Sequence, residues 1–305
     1  MDTETIYQNV QQRYGSVARA VKPEYSGAIA KAFGYSEEEI NSVPKDANLG
    51  LVCGNPLAIA SLRPGETVVD LGSGAGFDVF LAVKRVGANG RAIGVDMNED
   101  MLARARQNLA KSPEMDNVTF VQANITSIPL DDGIADCVIS NCVINLVPGA
   151  DKPTVFVEMA RILKSGGRVA LSDILARKAL PPSLKADVAL YTGCIAGAAT
   201  IEDYKQYLKD AGFSDILIVD TESDLNIYLN TFLESNGDPA DCCSRPTEAV
   251  NSSTGEKATE KKNASCCSQE ETEKEACQAA AVDSKFNGIN LNEWVGSFKI
   301  FALKP

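Results

Sequence analysis

From Thr67 onward the chain alternates short apolar runs with stretches whose apolar residues recur at helical spacing. The runs predict strands at 67–71, 91–95, 118–122, 135–140 and 168–173. Helical patterns fall near 77–86, 98–111, 152–163, 184–192 and 201–211. Regular alternation of this kind predicts an α/β fold, a parallel sheet with helices on both faces, whose ligand lies at the carboxyl ends of the strands. Two later runs, Phe213 to Asp220 and Ser297 to Leu303, predict a closing hairpin, so the sheet is expected to be mostly parallel with an antiparallel closing strand.

The flanking regions read differently. Residues 1–50 look helical, with Tyr7, Val10 and Tyr14 on one face and Gly15 breaking the pattern; Thr3 to Tyr14 reads equally as a lid helix or a solubilising arm. Ser36-Glu37-Glu38-Glu39 has the form of a capped helix start, and Ser42-Val43-Pro44 stops that helix. A turn-rich loop, Ala47 to Pro56, carries Cys53 and precedes a short helix, Leu57 to Leu62. Asn236 to Asp283 is rich in Ser, Thr, Glu, Lys, Asn and Ala, holds few large apolar residues, and reads as a disordered insertion with a helix, 225–235, at its base.

The first strand empties into Asp70-Leu71-Gly72-Ser73-Gly74-Ala75-Gly76 and then a helical pattern. Glycine lets the backbone turn sharply and approach a ligand closely. An acid, Asp96, closes the next strand at a spacing that suits a ribose diol. The dinucleotide fingerprint spaces its glycines G-x-G-x-x-G. Here they stand at alternate positions behind Asp70, a carboxylate that would repel a pyrophosphate but suits the ammonium of an amino-acid tail. The combination resembles the S-adenosylmethionine (SAM) loop of the class I methyltransferases.

Composition narrows the field. The 305 residues are 45% hydrophobic and 23% charged, ordinary for a globular protein, with a net charge of −12 and no cluster of basic residues, which disfavours a nucleic-acid partner. No apolar run approaches membrane length and the first residues lack a signal-peptide pattern, so no membrane association and a cytoplasmic location are expected. In that compartment the nine cysteines are expected as reduced thiols. There is no histidine, which removes the commonest general base at neutral pH.

Three cysteines fall at the expected active edge: Cys53 before the first strand, Cys142 directly after the fourth, and Cys194 in a Gly/Ala-rich segment after the fifth; Cys137, inside the fourth strand, reads as core. Thiolates select soft centres. Zinc ordinarily takes four protein ligands, or three and a water, often with His. Three thiolates without His suit a trigonal centre such as trivalent arsenic, whose lone pair attacks a sulfonium methyl without losing a proton. Catalysis is then a matter of positioning and of excluding water.

At these residues the resemblance becomes specific. Gly65 to Leu81, Gly94-Val95-Asp96-Met97, Ser140-Asn141-Cys142-Val143-Ile144-Asn145-Leu146 and Gly193-Cys194-Ile195-Ala196-Gly197-Ala198 resemble the arsenite SAM methyltransferases, as do Leu49 to Pro56 and Val10 to Ala18. The resemblance spans about residues 6 to 220 and implies a Rossmann-like class I methyltransferase sheet. It implies arsenic(III) bound as substrate by Cys53, Cys142 and Cys194, and a cofactor site of Tyr14, Gly15, Asp70, Gly72, Gly74, Asp96, Met97, Asn124, Ile125 and Asn141. Asp70 with the glycines would hold the methionine part, Asp96 and Met97 the ribose and adenine, and Asn124 and Ile125 the adenine edge. Arsenite and methylarsenite are the implied substrates, with thioredoxin or glutathione as thiol reductant and a monomer as the working form. The implied organisation is a helical cap over residues 1–46, a core over 47–235, a Cys-containing disordered insertion over 236–285 and a closing strand over 286–305.

The chain departs from the family in places. It lacks the further N-terminal cysteine of some members, carries Asn124 and Thr126 where members often have acids, and has a longer loop at Val147 to Pro153. Cys242, Cys243, Cys266, Cys267 and Cys277 lie in the insertion, as a metalloid-capturing tail or as tolerated drift. Two alternatives stand beside arsenite methylation. A small-molecule carbon or oxygen methyltransferase would need a positioned base and would keep activity without Cys53 and Cys194, whereas a thiol-rich sequestering protein would have no use for SAM.

Overall fold

The computed structural model describes residues 2–20, 26–227 and 289–305. Met1–Leu225 and Leu291–Pro305 form one compact unit, and Asn226–Asn290 a second that falls almost wholly outside the described residues. The expected disordered insertion, its five cysteines and nearly all of the expected 225–235 helix therefore lie outside them.

The strands are β1 (Thr67–Leu71), β2 (Arg91–Asp96), β3 (Val118–Gln122), β4 (Ala135–Asn141), β5 (Leu163–Ala176), β6 (Ser214–Asp220) and β7 (Val295–Leu303). They make one sheet in the order β3-β2-β1-β4-β5-β7-β6, parallel throughout except for β7, which runs antiparallel to both its neighbours. Helices cover both faces, and the architecture is that of a Rossmann-like methyltransferase. The strand order reverses between β1 and β4, and at that switch point Asp70 pairs with Gly94 on one side and Ile139 on the other. Crevices outside the carboxyl ends of strands open at such points.

The helices between the strands are α5 (Phe77–Val86), α6 (Glu99–Ala110), α7 (Lys152–Ile162) and α10 (Ile201–Asp210). Alternate residues of a strand point to opposite faces. Val69 and Leu71 of β1 accordingly join Ile93, Val138, Val169 and Leu171 in a core with Phe156 and Met159 of α7 and Tyr204 and Leu208 of α10, all fully buried or nearly so. Each such side chain contributes about 1.5–3 kcal/mol on leaving water. Phe156 meets Tyr204 edge-on, with ring centroids 5.4 Å apart. Helix α5 packs on β1, β2 and β3 with Val79, Phe80 and Val83 buried.

Three local expectations change. The first helix, α1 (Thr3–Arg19), runs straight through Gly15, because a Cβ there would stand 2.8 Å from Asp100 Oδ2 and close to Asn98: glycine is the fit between α1 and the start of α6 rather than a break. Strand β5 is longer than 168–173 because β7 pairs with it out to Ala176. The helix expected over 184–192 divides into α8 (Pro182–Lys185) and α9 (Val188–Thr192), since Asp187 turns its carboxylate onto Leu190 N (2.9 Å) and starts a new helix. The elements before β1 are α2 (Ser26–Ala32), α3 (Glu37–Ser42), with the capping box of Ser36 and Glu39, and α4 (Leu57–Ala60). Among the described residues no helix is long and apolar enough to cross a membrane.

Candidate functional site

The turn after β1 is tied down before any ligand is considered. Gly72 N and Ser73 N both donate to Val95 O (2.8 and 3.0 Å), and Gly74 N donates to Asp96 Oδ2 (2.8 Å), whose other oxygen accepts Asn98 N (2.8 Å). Gly72 has φ +72°, and a Cβ on it would stand 2.5 Å from Val143, so the residue after Cys142 closes down on the glycine loop. Gly74, also left-handed, has only Met101 Sδ near its Cβ position, at 3.9 Å, which leaves that side of the loop open.

Above this loop lies a cavity walled by Tyr14, Asp70, Gly72, Gly74, Asp78, Asp96, Met97, Asn124, Ile125, Asn141 and Cys142, among others. No Lys or Arg lines it among the described residues, whereas three carboxylates do. Burial, then the neighbouring charges of Asp78 and Asp96, push Asp70 well above the usual carboxylate range, and its carboxylate accepts no hydrogen bond from the described residues. Burial raises Asp78 to about 6 and raises Asp96 as well. Ser73 Oγ is buried beside them without a partner. A cavity of this charge is matched by a cation and opposed by a phosphate.

Of the residues expected at the cofactor, Gly15 alone stands elsewhere, against Asp100 and Asn98 of the α6 start. Its neighbour Tyr14 does face the cavity, with Tyr7 and Val10, so α1 supplies part of the cavity wall. It is fastened by Asn98 Nδ2 donating to Gln11 O (2.9 Å) and by Arg104 donating to Ala18 O and Ala20 O (2.8 and 2.9 Å).

The cysteines collect around Cys142, the one of the three that lines the cavity. Cys142 directly follows β4 with φ +63° and Cys194 follows α9 with φ +66°. A non-glycine residue in this conformation costs on the order of 1–3 kcal/mol and persists only where the surroundings over-determine it. Cys194 Sγ donates to Cys142 O at 2.8 Å, and Tyr14 OH lies 3.9 Å from the same sulfur while donating to Thr192 O at 3.2 Å. Burial, with Asp173 nearby, pushes the Cys194 thiol far up. Cys53 reaches Cys142 because Gly54 packs against Ser172, where a Cβ would stand 2.6 Å from that residue's own Cβ.

Cys53 and Cys142 are joined in a disulfide, with Cα atoms 6.0 Å apart. This corrects the expectation that all cysteines are reduced thiols. A loop and a strand end from opposite sides of β1 in sequence are brought to bonding separation, which spacing along the chain does not reveal. Cys194 and Cys137 are free, Cys137 buried in β4 as expected, its thiol raised to about 12 by burial.

Asn141, already expected at the cofactor, is joined in the site by Tyr35 and Lys152, which carry no obvious sequence signal. Asn141 Oδ1 accepts Cys53 N (3.1 Å), and its Nδ2 donates to Gly54 O (2.9 Å), Tyr35 OH (3.0 Å) and Asp78 Oδ2 (3.1 Å). Tyr35 OH donates to the other Asp78 oxygen at 2.6 Å. Asn141 is thus the clasp between the cysteine loop and the acidic cavity. Behind the cysteines, Asp173 accepts from Asn145 Nδ2 (2.8 Å), Ile174 N (3.0 Å) and Tyr204 OH (2.7 Å), and burial raises it to about 6. Lys152 is buried too, donating to Ile144 O (2.7 Å) and Val147 O (2.8 Å), and burial lowers it to about 8. The rule that sites gather at carboxyl ends of strands points to Asp173, at the end of the predicted fifth strand; nothing comparable points to Tyr35 or Lys152.

A family profile described as "Methyltransferase domain" matches residues 62–212. An arsenite methyltransferase of Halobacterium salinarum is 39% identical over 258 residues, covering 75% of this chain and 65% of that protein. The chain is thus similar to arsenite methyltransferases along most of its own length. The mouse arsenite methyltransferase is 32% identical, over 70% of this chain and 59% of its own length, so the chain spans about three fifths to two thirds of these two relatives. Among solved structures, the arsenic(III) S-adenosylmethionine methyltransferase of Chlamydomonas reinhardtii superposes with a TM-score of 0.55 at 25% identity, covering 94% of this chain and 75% of that one.

Proposed function

We propose that this chain is an arsenite methyltransferase, transferring the methyl group of SAM to trivalent arsenic held by Cys53, Cys142 and Cys194. One observation carries the reading: the acidic cavity has Cys142 in its wall, and the sulfur of that residue meets Cys53 while its carbonyl meets Cys194. A cation-binding cavity and a soft-ligand cluster therefore share a boundary.

The residues present fit SAM. Asp70, unpartnered and buried, suits the ammonium of the methionine part; Gly72 and Gly74 bring the backbone close to it; Asp96 and Met97 suit the ribose and adenine, and Asn124 and Ile125 the adenine edge. Bound there, SAM supplies an electrophilic sulfonium methyl. Tyr14 and α1 exclude water, and Asn141 holds the Cys53 loop at the height of the cavity. As arsenite binds, each thiol proton leaves with an arsenic hydroxyl as water, so the cluster needs no separate base, in keeping with a chain that has no histidine.

On this reading a thiol reductant, thioredoxin or glutathione, opens the Cys53–Cys142 disulfide. Two reductant thiols become a disulfide and Cys53 and Cys142 become thiols, after which three sulfurs are free for one arsenic atom. The reading places the chain in the cytoplasm, where such reductants are maintained, and takes it as a monomer in which residues 1–46 cap the core.

The test is to incubate the reduced protein with arsenite, methyl-labelled SAM and a thiol, and to separate the arsenic species. Label in methylated arsenicals is the expected result. Label remaining wholly in SAM discards the proposal.

A further inference from the structure

Asp173 is absent from the arsenic-binding trio, yet one of its carboxylate oxygens and the sulfurs of Cys53 and Cys142 all lie within 4.8 Å of one another, with all three residues buried. We propose that the reduced Cys53/Cys142 pair and Asp173 form a binding site for a divalent thiophilic cation, zinc or cadmium, in which the carboxylate takes the part that Cys194 takes for trivalent arsenic.

Three observations lead there. The first is distance. Zinc with sulfur at about 2.3 Å and carboxylate oxygen at about 2.0–2.2 Å sets its donors about 3.5–3.8 Å apart. Three donors already within 4.8 Å of each other reach that spacing by small movements, once two reductant thiols have taken up the disulfide and freed both sulfurs.

The second is preorganisation. Asp173 is held by Asn145 and Ile174 N on Oδ1 and by Tyr204 on Oδ2. A carboxylate offers about four acceptor positions. Three are taken, which fixes the group and leaves one on Oδ2 for a cation. Partners of this kind orient the ligands of metal sites.

The third is charge. Two thiolates and a carboxylate bring three negative charges into a buried place, and the Lys152 ammonium, whose field acts on Asp173, offsets one. A dication offsets the other two, and buried charge is tolerated when it is balanced. Arsenic bound to three thiolates is already neutral and gains nothing from the carboxylate. Zinc and cadmium accept sulfur and carboxylate oxygen together. The two occupants thus share Cys53 and Cys142 and diverge at the third donor.

That divergence is the test, and its arsenite arm rests on the three-thiol reading above. The full chain is prepared with Cys242, Cys243, Cys266, Cys267 and Cys277 replaced by Ser, reduced with a phosphine without oxygen, and titrated with cadmium alone and with arsenite alone. One cadmium per chain is expected, with a cadmium NMR shift of two-sulfur and oxygen coordination, displaced by arsenite. Asp173→Asn should weaken cadmium by about tenfold or more and leave arsenite affinity within about twofold, whereas Cys194→Ser should do the reverse. A three-sulfur cadmium shift, or cadmium affinity indifferent to Asp173→Asn, overturns the site. If Asp173→Asn does not fold, the shift measured with Asp173 in place decides. Cadmium bound as expected, with arsenite indifferent to Cys194→Ser, upholds the cation site and overturns the three-thiol reading.

Discussion

The glycine loop and the cysteine cluster meet at one cavity, which Cys142 alone of the three cysteines lines, but they are built in opposite ways. The loop comes from one continuous stretch, Asp70 to Asp78, fastened to the adjacent strand through Val95 and Asp96. The cluster takes one residue each from positions 53, 142 and 194, which meet only because β4 and β5 lie side by side and Gly54 allows a loop to pack on Ser172. The first can form with local structure, while the second exists only in the completed fold. On the proposed function, binding of SAM and binding of arsenic should therefore respond separately to substitution, except where the two halves touch.

The largest separation is expected from Cys142→Ser. It removes the residue common to both sulfur contacts, and methyl transfer should fall by ~1,000-fold or more, about 4 kcal/mol of barrier. SAM affinity measured by calorimetry should stay near that of the unsubstituted chain; a matching loss of SAM binding would show that the halves are not separable.

Gly72→Ala attacks the place where they touch. With φ +72° and Val143 2.5 Å from the new Cβ, it should cost about 3 kcal/mol of stability in chemical denaturation. Val143→Ala in the same chain should recover about 1 kcal/mol through relief of the overlap. Strict additivity of the two substitutions would place the strain elsewhere.

Asp70→Asn should act on the loop alone. Losing a charge-assisted contact to an ammonium corresponds to about 2 kcal/mol, a ~30-fold rise in the Kd for SAM. Arsenite binding, followed by thiol titration of the reduced protein, should be unchanged.

The last effect, read as a slope rather than a single loss, concerns the clasp. Burial raises Asp78 from 3.8 to about 6, so the folded chain keeps a proton there that the unfolded chain has released. Its stabilising contribution is complete below about pH 4 and is lost as pH rises through about 6. Asp78→Asn cannot titrate, and stability measured over that window should lose a slope of up to about 1.4 kcal/mol per pH unit. An unaltered slope would mean that Asp78 is already ionised at the lower end.

Much of this was legible along the chain, for a physical reason. Strand and helix periods come from residues a few positions apart, so β1, β3 and α5 fall where the apolar spacing puts them. The Asp70 loop is equally local. Gly15 misled because helix interiors tolerate a glycine when a neighbour needs the room, here Asp100 on α6, and such a neighbour is invisible in a window of ten residues.

The chain by itself determined the order of elements, the glycine loop after β1 and which residue types stand at the carboxyl edge of the sheet, because each follows from short-range pattern and chemistry. Only the tertiary structure decided that Cys53 and Cys142 are bonded, that Asn141 clasps the cysteine loop to Asp78, and that Asp173 stands behind the sulfurs. Those outcomes depend on strand order and loop closure over separations of about a hundred residues, where local pattern no longer constrains which side chains meet.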